Sequence, residues 1–275
     1  MRIGAHVPTH GSLRSAIDAA GTCGAEAVQV FISNPRGWAP PRISDAEIRE
    51  FRAAWAESGL GPLFVHAPYL VNIASPNPAF LRRSADLARA SIVAASMLSA
   101  TGFVVHAGSG GPGEPDAALQ RAAATLRNVG PEGDCAVVVE LTAGTSGSVA
   151  ATFPEAARLF AAVGDVRLRL CADTCHLFAA GYGLDEPDGV AACFEDLHAA
   201  GLADRLLLIH ANDAKDGRGT HRDRHEHIGE GRIGVEGFFE ILRRPEVQNL
   251  ALVVETPGTL EDHARDITTL RRLAS

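Results

Sequence analysis

The sequence contains no apolar stretch that is both long and uninterrupted enough to cross a bilayer. Its opening residues, MRIGAHV, lack the apolar centre of a secretory signal and read directly as a strand. Cysteines number five, an odd count, and sit inside element-like segments. Cys171 and Cys175 lie four apart, but no second pair completes a thiolate zinc site. A reduced, cytoplasmic protein is therefore expected. Basic residues are not in excess: 25 Lys and Arg face 33 Asp and Glu, a formal charge of −8. That excludes nonspecific coating of DNA by the whole surface, and leaves open a contact governed by the local field of one face. No linker, composition break or strict internal repeat divides the chain. The glycine-rich fingerprint of an open dinucleotide-binding sheet is also missing, because HVPTHGS follows the first strand.

What is present is a core and a rhythm. Hydrophobic residues make up 46 % of 275 positions, ample for one domain spanning 1–275. Short apolar runs read as strands at Ile3–Val7, Ala27–Ile32, Pro62–His66, Phe103–His106, Cys135–Glu140, Val166–Ala172, Leu206–His210 and Leu250–Glu255. Helical segments separate them at Ser12–Ala20, Ser44–Ser58, Phe80–Leu98, Asp116–Asn128, Phe153–Val163, Gly189–Ala200, Val235–Arg243 and Leu260–Leu273. Ser44 and Glu47 have the spacing of a capping box, and Thr152 stands where a cap would begin the fifth helix. Eight strands alternating with eight helices, without a large insertion, predict a single (β/α)8 TIM barrel of the α/β class. A doubly wound open sheet is the structural alternative.

The densest chemistry lies in Leu206–Gly229, LLLIHANDAKDGRGTHRDRHEHIG. A buried strand ends at His210, and a polar loop then carries Asp213, Lys215, Asp216, His221, Arg222, Asp223, Arg224, His225, Glu226 and His227. A charged, solvent-facing loop is the plainer reading of that stretch alone. The ends of the other strands change the balance. His66, His106, Glu140, Asp173 (with His176 just beyond), His210 and Glu255 close six consecutive strands. In a barrel these ends converge on one mouth. A lone histidine there is usually a hydrogen-bonded structural residue. Glu140 and Glu255, each at the end of an apolar run, need a cation or a proton to be buried.

Asp223 and His225 complete a set of nine donors. Mixed nitrogen and carboxylate ligands suit Zn²⁺, with Mn²⁺ or Fe²⁺ also accommodated. Nine over-supply one or two ions and suit three if a carboxylate bridges. Clustered divalent cations favour phosphoryl transfer, because they neutralise charge on the attacked and leaving oxygens. Arg222, Arg224 and Lys215 add positive charge beside the donors, which favours a phosphodiester over a sugar.

The chain resembles the endonuclease IV family of zinc-dependent apurinic/apyrimidinic endonucleases. The match is carried by GAHV at 4–7, NPRGW at 34–38, His66 with Tyr69, Leu70, Val71 and Asn72, and Glu140 with Thr142, Ala143 and Gly144. It continues through DTCHLFAAGY at 173–182, HANDAK at 210–215, DRHEHIGEGRIG at 223–234 and ETP at 255–257. The resemblance implies that His66 and His106 bind one zinc, with Glu140 bridging to a second. It implies that Asp173, His210 and Glu255 complete the second, and that His176, Asp223 and His225 bind the third. Mn²⁺ could occupy part of such a cluster. Glu140 would be the catalytic bridge, and Arg36, Tyr69 and Leu70 would enter DNA at the lesion, with Arg222 and Arg224 as further DNA contacts. The implied activity is cleavage of double-stranded DNA 5′ to an abasic site, and trimming of blocked 3′ ends, by a monomer without a membrane. The loop AGSGGPGEP lacks a second histidine near Ser109 expected in relatives, and both loop 71–78 and the segment after Glu255 are compact. A sugar isomerase or epimerase would use Glu140, Asp173, His210 and Glu255 around one ion, leaving the other donors idle. A non-catalytic DNA-binding barrel would need no metal donors at all.

Overall fold

Alternation along short strands decides which side chains enter the barrel, and it does so consistently here. The computed structural model describes residues 1–275. Eight strands form the barrel: β1 (Arg2–His6), β2 (Val28–Val30), β3 (Leu63–His66), β4 (Gly102–His106), β5 (Ala136–Glu140), β6 (Arg169–Asp173), β7 (Leu206–His210) and β10 (Ala251–Val254). They close in the order β1-β10-β7-β6-β5-β4-β3-β2, with every neighbour parallel. This is the (β/α)8 barrel. Inside it sits a small apolar plug that includes Ala27, Phe64, Val104, Val138, Cys171, Leu208 and Val253. Side chains two apart share a face of a strand. Stepping two residues on from each of these gives Gln29, His66, His106, Glu140, Asp173, His210 and Glu255. The apolar layer thus floors the barrel, and the polar layer above it forms the mouth.

Around the barrel lie α1 (Arg14–Cys23), α2 (Asp45–Ser58), α3 (Pro78–Met97), α4 (Pro115–Val129), α5 (Phe153–Val163), α6 (Thr174–Ala180), α7 (Pro187–Ala199), α8 (Gly234–Leu242) and α9 (Leu260–Ala274). None is long and apolar enough to cross a membrane. The capping box of Ser44 with Glu47 is present, and so is one of Thr152 with Glu155. Helix α3 begins two residues before the expected Phe80, because Asn77 accepts the amides of Ala79 and Phe80 ahead of Pro78. Helix α6 is an addition to the expected eight. Asp173 ends β6 and at once caps α6 through the His176 amide at 2.9 Å, so no loop intervenes. The sixth strand starts at Arg169 rather than Val166, whose side chain is exposed. Gly4 lets β1 approach β2, since a Cβ there would lie 1.6 Å from the Ala27 carbonyl oxygen.

The long polar loop after β7 is more ordered than its composition suggests. A two-residue ribbon pairs β8 (Asp213–Ala214) with β9 (His225–Glu226) in antiparallel register. Segments this short leave no periodicity to read. Asp213 anchors the turn that leads into α8. Its buried carboxylate accepts from the amides of Ala214 (2.7 Å), Gly229 (3.0 Å), Gly231 (3.0 Å), Ile233 (2.9 Å) and Gly234 (3.2 Å). The glycines permit this wrap: a Cβ on Gly231 would lie 2.4 Å from the Asp213 carboxylate. Asp213 is therefore architecture rather than a metal donor. Replacing it with Ala strands several amides, so Asp213→Ala should cost about 3 kcal/mol or more. Denaturant unfolding checks this, and a loss under about 1 kcal/mol would contradict the anchoring role.

Candidate metal centre

The nine donors expected from the sequence come together at the barrel mouth in three contiguous groups. His66, His106 and Glu140 form one; Glu140, Asp173, His210 and Glu255 another; His176, Asp223 and His225 a third. Within each group the ligand atoms lie within 4.8 Å of one another. Glu140 divides its oxygens. Its Oε2 faces His66 Nε2 at 3.0 Å and His106 Nε2 at 3.2 Å, while Oε1 faces His210 Nδ1 at 3.2 Å. Asp173 links the second group to the third, with Oδ2 at 3.9 Å from His210 Nδ1 and 3.6 Å from His225 Nε2. Asp223 Oδ1 lies 3.3 Å from His176 Nε2 and 3.2 Å from His225 Nε2. Cys175, beside Asp173 and His225, offers a thiol to a fourth grouping, but burial pushes that thiol up to about 12.

The donor set fits divalent cations on two structural grounds. His176 Nε2 and His225 Nε2 are buried and, with Asp223 Oδ1 3.3 and 3.2 Å away, make no well-directed hydrogen bond, which is costly unless something else satisfies them. Three imidazoles are also held by their second nitrogen: Nδ1 of His66 on the Ala67 carbonyl (2.7 Å), of His176 on Leu141 (2.9 Å), and of His225 on Glu255 (3.1 Å). Those carbonyls accept the Nδ1 proton and leave Nε2 free to ligate, the arrangement metal-bound histidines use.

Charge in the centre is mutually dependent. Burial alone would push the Glu140 carboxyl up, but the His106 and His210 imidazoles hold it well below the usual carboxylate range. Burial likewise opposes charge on His225, yet Asp173 and Asp223 raise it to about 9. His176 is also raised, by Asp173 and Asp223 against the effect of burial. The residues around the donors bind them together. Asn212, fully buried, donates to Asp173 Oδ2 at 2.7 Å and accepts the Glu255 amide at 2.7 Å. Thr174 Oγ1 donates to the Asn212 carbonyl at 2.6 Å. Neither carries a signal of its own in the sequence beyond its place inside DTCH and HANDAK.

The cavity above the donors has a volume of about 480 Å³, and Tyr69 and Arg224 line it together with most of the donors. A groove of about 1130 Å³ adjoins it across His6, Phe31, Gly258 and His263. Tyr69 is 62 % exposed, stands edge-on to Phe31 at 5.1 Å, and is tied to the neighbouring loop by its amide on the Pro35 carbonyl at 2.9 Å. Leu70 is exposed beside it, and Arg36 is exposed on the neighbouring loop. The loop behind them is braced at Ser109: its amide donates to Asn72 Oδ1 at 3.0 Å, and Asn72 Nδ2 to the Ser109 carbonyl at 2.9 Å. Arg222 does not reach the cavity; it is exposed and 3.9 Å from Asp216. Lys215 and His221 are exposed as well.

A family model described as a xylose isomerase-like TIM barrel matches residues 17–273. A protein of Streptomyces coelicolor named probable endonuclease 4 is 40 % identical over 98 % of this chain and 94 % of its own length. The crystal structure of endonuclease IV from Thermus thermophilus superposes with a TM-score of 0.89 at 32 % identity, covering 99 % of this chain and 98 % of that one. A D-tagatose 3-epimerase-like protein superposes at 0.75 with 20 % identity, covering 99 % of this chain and 97 % of the other, a likeness of fold alone.

Protein stripped of metal should carry a pH signature. His225 has a folded value of about 9, above its unfolded value of about 6.5. Its contribution is therefore complete below about pH 6.5 and lost as pH rises through about 9. Melting temperatures of chelator-treated protein should fall by several degrees across that window. A flat or rising profile would contradict the charge balance described.

Proposed function

The chain belongs to the xylose isomerase-like TIM-barrel family and, within it, to the endonuclease IV enzymes, and on that premise we propose that it hydrolyses the DNA phosphodiester 5′ to an abasic site. The products are a 3′-hydroxyl and a 5′-deoxyribose phosphate, and blocked 3′ ends are trimmed at the same centre. The observation that carries this reading is Glu140, whose two oxygens face two separate donor groups. His66, His106 and Glu140 would hold one zinc. Glu140, Asp173, His210 and Glu255 would hold a second. His176, Asp223 and His225 would hold a third, and Mn²⁺ suits part of the set. Clustered divalent cations, when bound, supply Lewis acidity and neutralise charge on the attacked and leaving oxygens.

The chain's own residues orient, fill and exclude. Glu140 fixes the spacing of the two groups it joins. Tyr69 and Leu70 rise at the rim as an apolar wedge that fills the base stack when the abasic nucleotide swings into the cavity. Arg36, Arg222 and Arg224 are exposed cations and suit the phosphate backbone on either side, which gives one face a local field opposite in sign to the whole chain. The substrate is double-stranded DNA, bound by a monomer. All five cysteines are unpaired and buried, as suits a cytoplasmic protein. An epimerase around one ion leaves His66, His106, His176, Asp223 and His225 without a task, although they lie in groups contiguous with the other four.

Elemental analysis of purified protein should find about three ions per chain, mostly zinc. Glu140→Gln should cut cleavage of an abasic duplex by at least about 100-fold, while DNA affinity changes far less. One exchangeable ion, or near-normal turnover of the variant at saturating substrate, would overturn the reading. Replacing Tyr69 and Leu70 together with Ala should lower kcat/KM on an abasic duplex by roughly ten-fold or more, and less on the same lesion in a single strand, which has no stack to fill. Equal losses on both substrates, or loss of zinc, would make the loop structural.

A further inference from the structure

Gln29 interrupts the apolar run AVQVFI and is fully buried. Strand pairing sets it beside His6, and it points into the barrel with the donors of the other strands. Its side-chain amide meets three groups. Nε2 donates to Glu255 Oε1 at 2.5 Å and lies 3.0 Å from His6 Nδ1; Oε1 lies 2.9 Å from His210 Nε2. An ionised carboxylate only accepts, so the end of the amide that faces Glu255 must be the NH2. That turns the amide oxygen toward His210. An amide oxygen also only accepts, so His210 carries its proton on Nε2. When a metal ion takes the place of the second proton, the lone pair of His210 is on Nδ1, the atom 3.2 Å from Glu140 Oε1 and 3.3 Å from Glu255 Oε2. The same amide occupies Glu255 Oε1 and leaves Oε2 facing the cluster.

We infer that Gln29 is a positioning residue for the central donor group, selecting Nδ1 of His210 and Oε2 of Glu255 as the ligating atoms. His66, His176 and His225 have Nδ1 held by backbone carbonyls and present Nε2. His210 is turned the other way, and the group that holds it is a side chain from β2, almost opposite in the barrel order. One residue thereby couples two ligands that arrive on adjacent strands, β7 and β10. The inference rests on the metal reading of the site, but not on the number of ions.

The test is Gln29→Met, close in length and volume but unable to donate or accept through an amide. Zinc retention is measured during dialysis against graded chelator, and long-range ¹H–¹⁵N spectra of the zinc-loaded protein report which nitrogen of His210 bears the proton. The parent should show a proton on His210 Nε2. The Met variant should release one ion at roughly ten- to 100-fold lower chelator activity, with the remainder held as in the parent. Gln29→Glu keeps an acceptor over His210 but sets an anion against Glu255. It should preserve the His210 spectrum while holding the same ion about ten-fold less tightly, and it carries the decision if the Met variant does not fold. Zinc on His210 Nε2 in the parent, or unchanged retention in both variants, would overturn the inference. A parent holding a single ion would sink the three-ion reading alone, since that ion would rest on the same four donors and the comparison would still be read on it.

Discussion

Three carboxylates held at the mouth of one barrel, Glu140, Asp173 and Glu255, set the terms for everything around them. Glu140 and Asp173 are fully buried, and Glu255 is part-buried. Anions in such a place are tolerated only with cations or hydrogen bonds close by. The surrounding imidazoles serve in two ways. Without metal, His106, His176, His210 and His225 are drawn toward the protonated state and balance the carboxylates themselves. With their protons released they become ligands, so proton and metal compete for the same lone pairs. The concentration of negative charge thus suits the centre to multivalent cations and makes it costly without cations or bound protons.

Such a centre needs a scaffold that cannot relax away from it. The barrel supplies one through strand parity: His66, His106, Glu140, Asp173, His210 and Glu255 each stand two residues beyond an apolar side chain packed in the barrel interior, so their origin is fixed by the core beneath. The next layer fixes direction. Backbone carbonyls hold three imidazoles, Asn212 joins the β6 carboxylate to the backbone after β10, and Asp173 caps α6 while facing the cluster. Asp213 gathers the backbone of the neighbouring turn and so fixes the chain on which Asp223 and His225 return. Donors carried on rigid elements with satisfied neighbours are held far more tightly than donors on a free loop.

Two exposed side chains, Tyr69 and Leu70, stand at the rim of the cavity rather than in its centre. The two apolar side chains at the edge belong to a loop braced on both sides, by the Pro35 carbonyl and by the clasp of Asn72 with Ser109. On the proposed reading bracing matters, because a wedge that yields cannot keep a base stack open. The groove continuing past His6 and His263 extends the cavity in a direction that a polymer could take. On the proposed reading, a chain of net negative charge still approaches DNA through such a face, since exposed Arg36 and Arg224 act over a distance of about 10 Å.

The sequence by itself determined the class of fold, the strand ends and the donor types. Eight apolar runs at regular spacing admit few closed arrangements, and a histidine or carboxylate at the end of an apolar run is visible in one dimension. It also determined the helix starts that are written locally, as at Ser44 and Thr152. Short or abrupt elements escaped it: α6 begins on the last residue of a strand, and the ribbon of β8 with β9 is two residues long on each side. Tertiary structure alone decided which oxygen of Glu140 faces which group, that Asp213 anchors backbone while Asp223 joins the donors, and that Arg224 reaches the cavity while Arg222 does not. It alone decided that Gln29, one polar residue in an apolar strand, meets His210 and Glu255. The reason is physical. Hydrophobic periodicity acts between neighbours along the chain, whereas the direction of a lone pair depends on groups that only folding brings within about 3 Å.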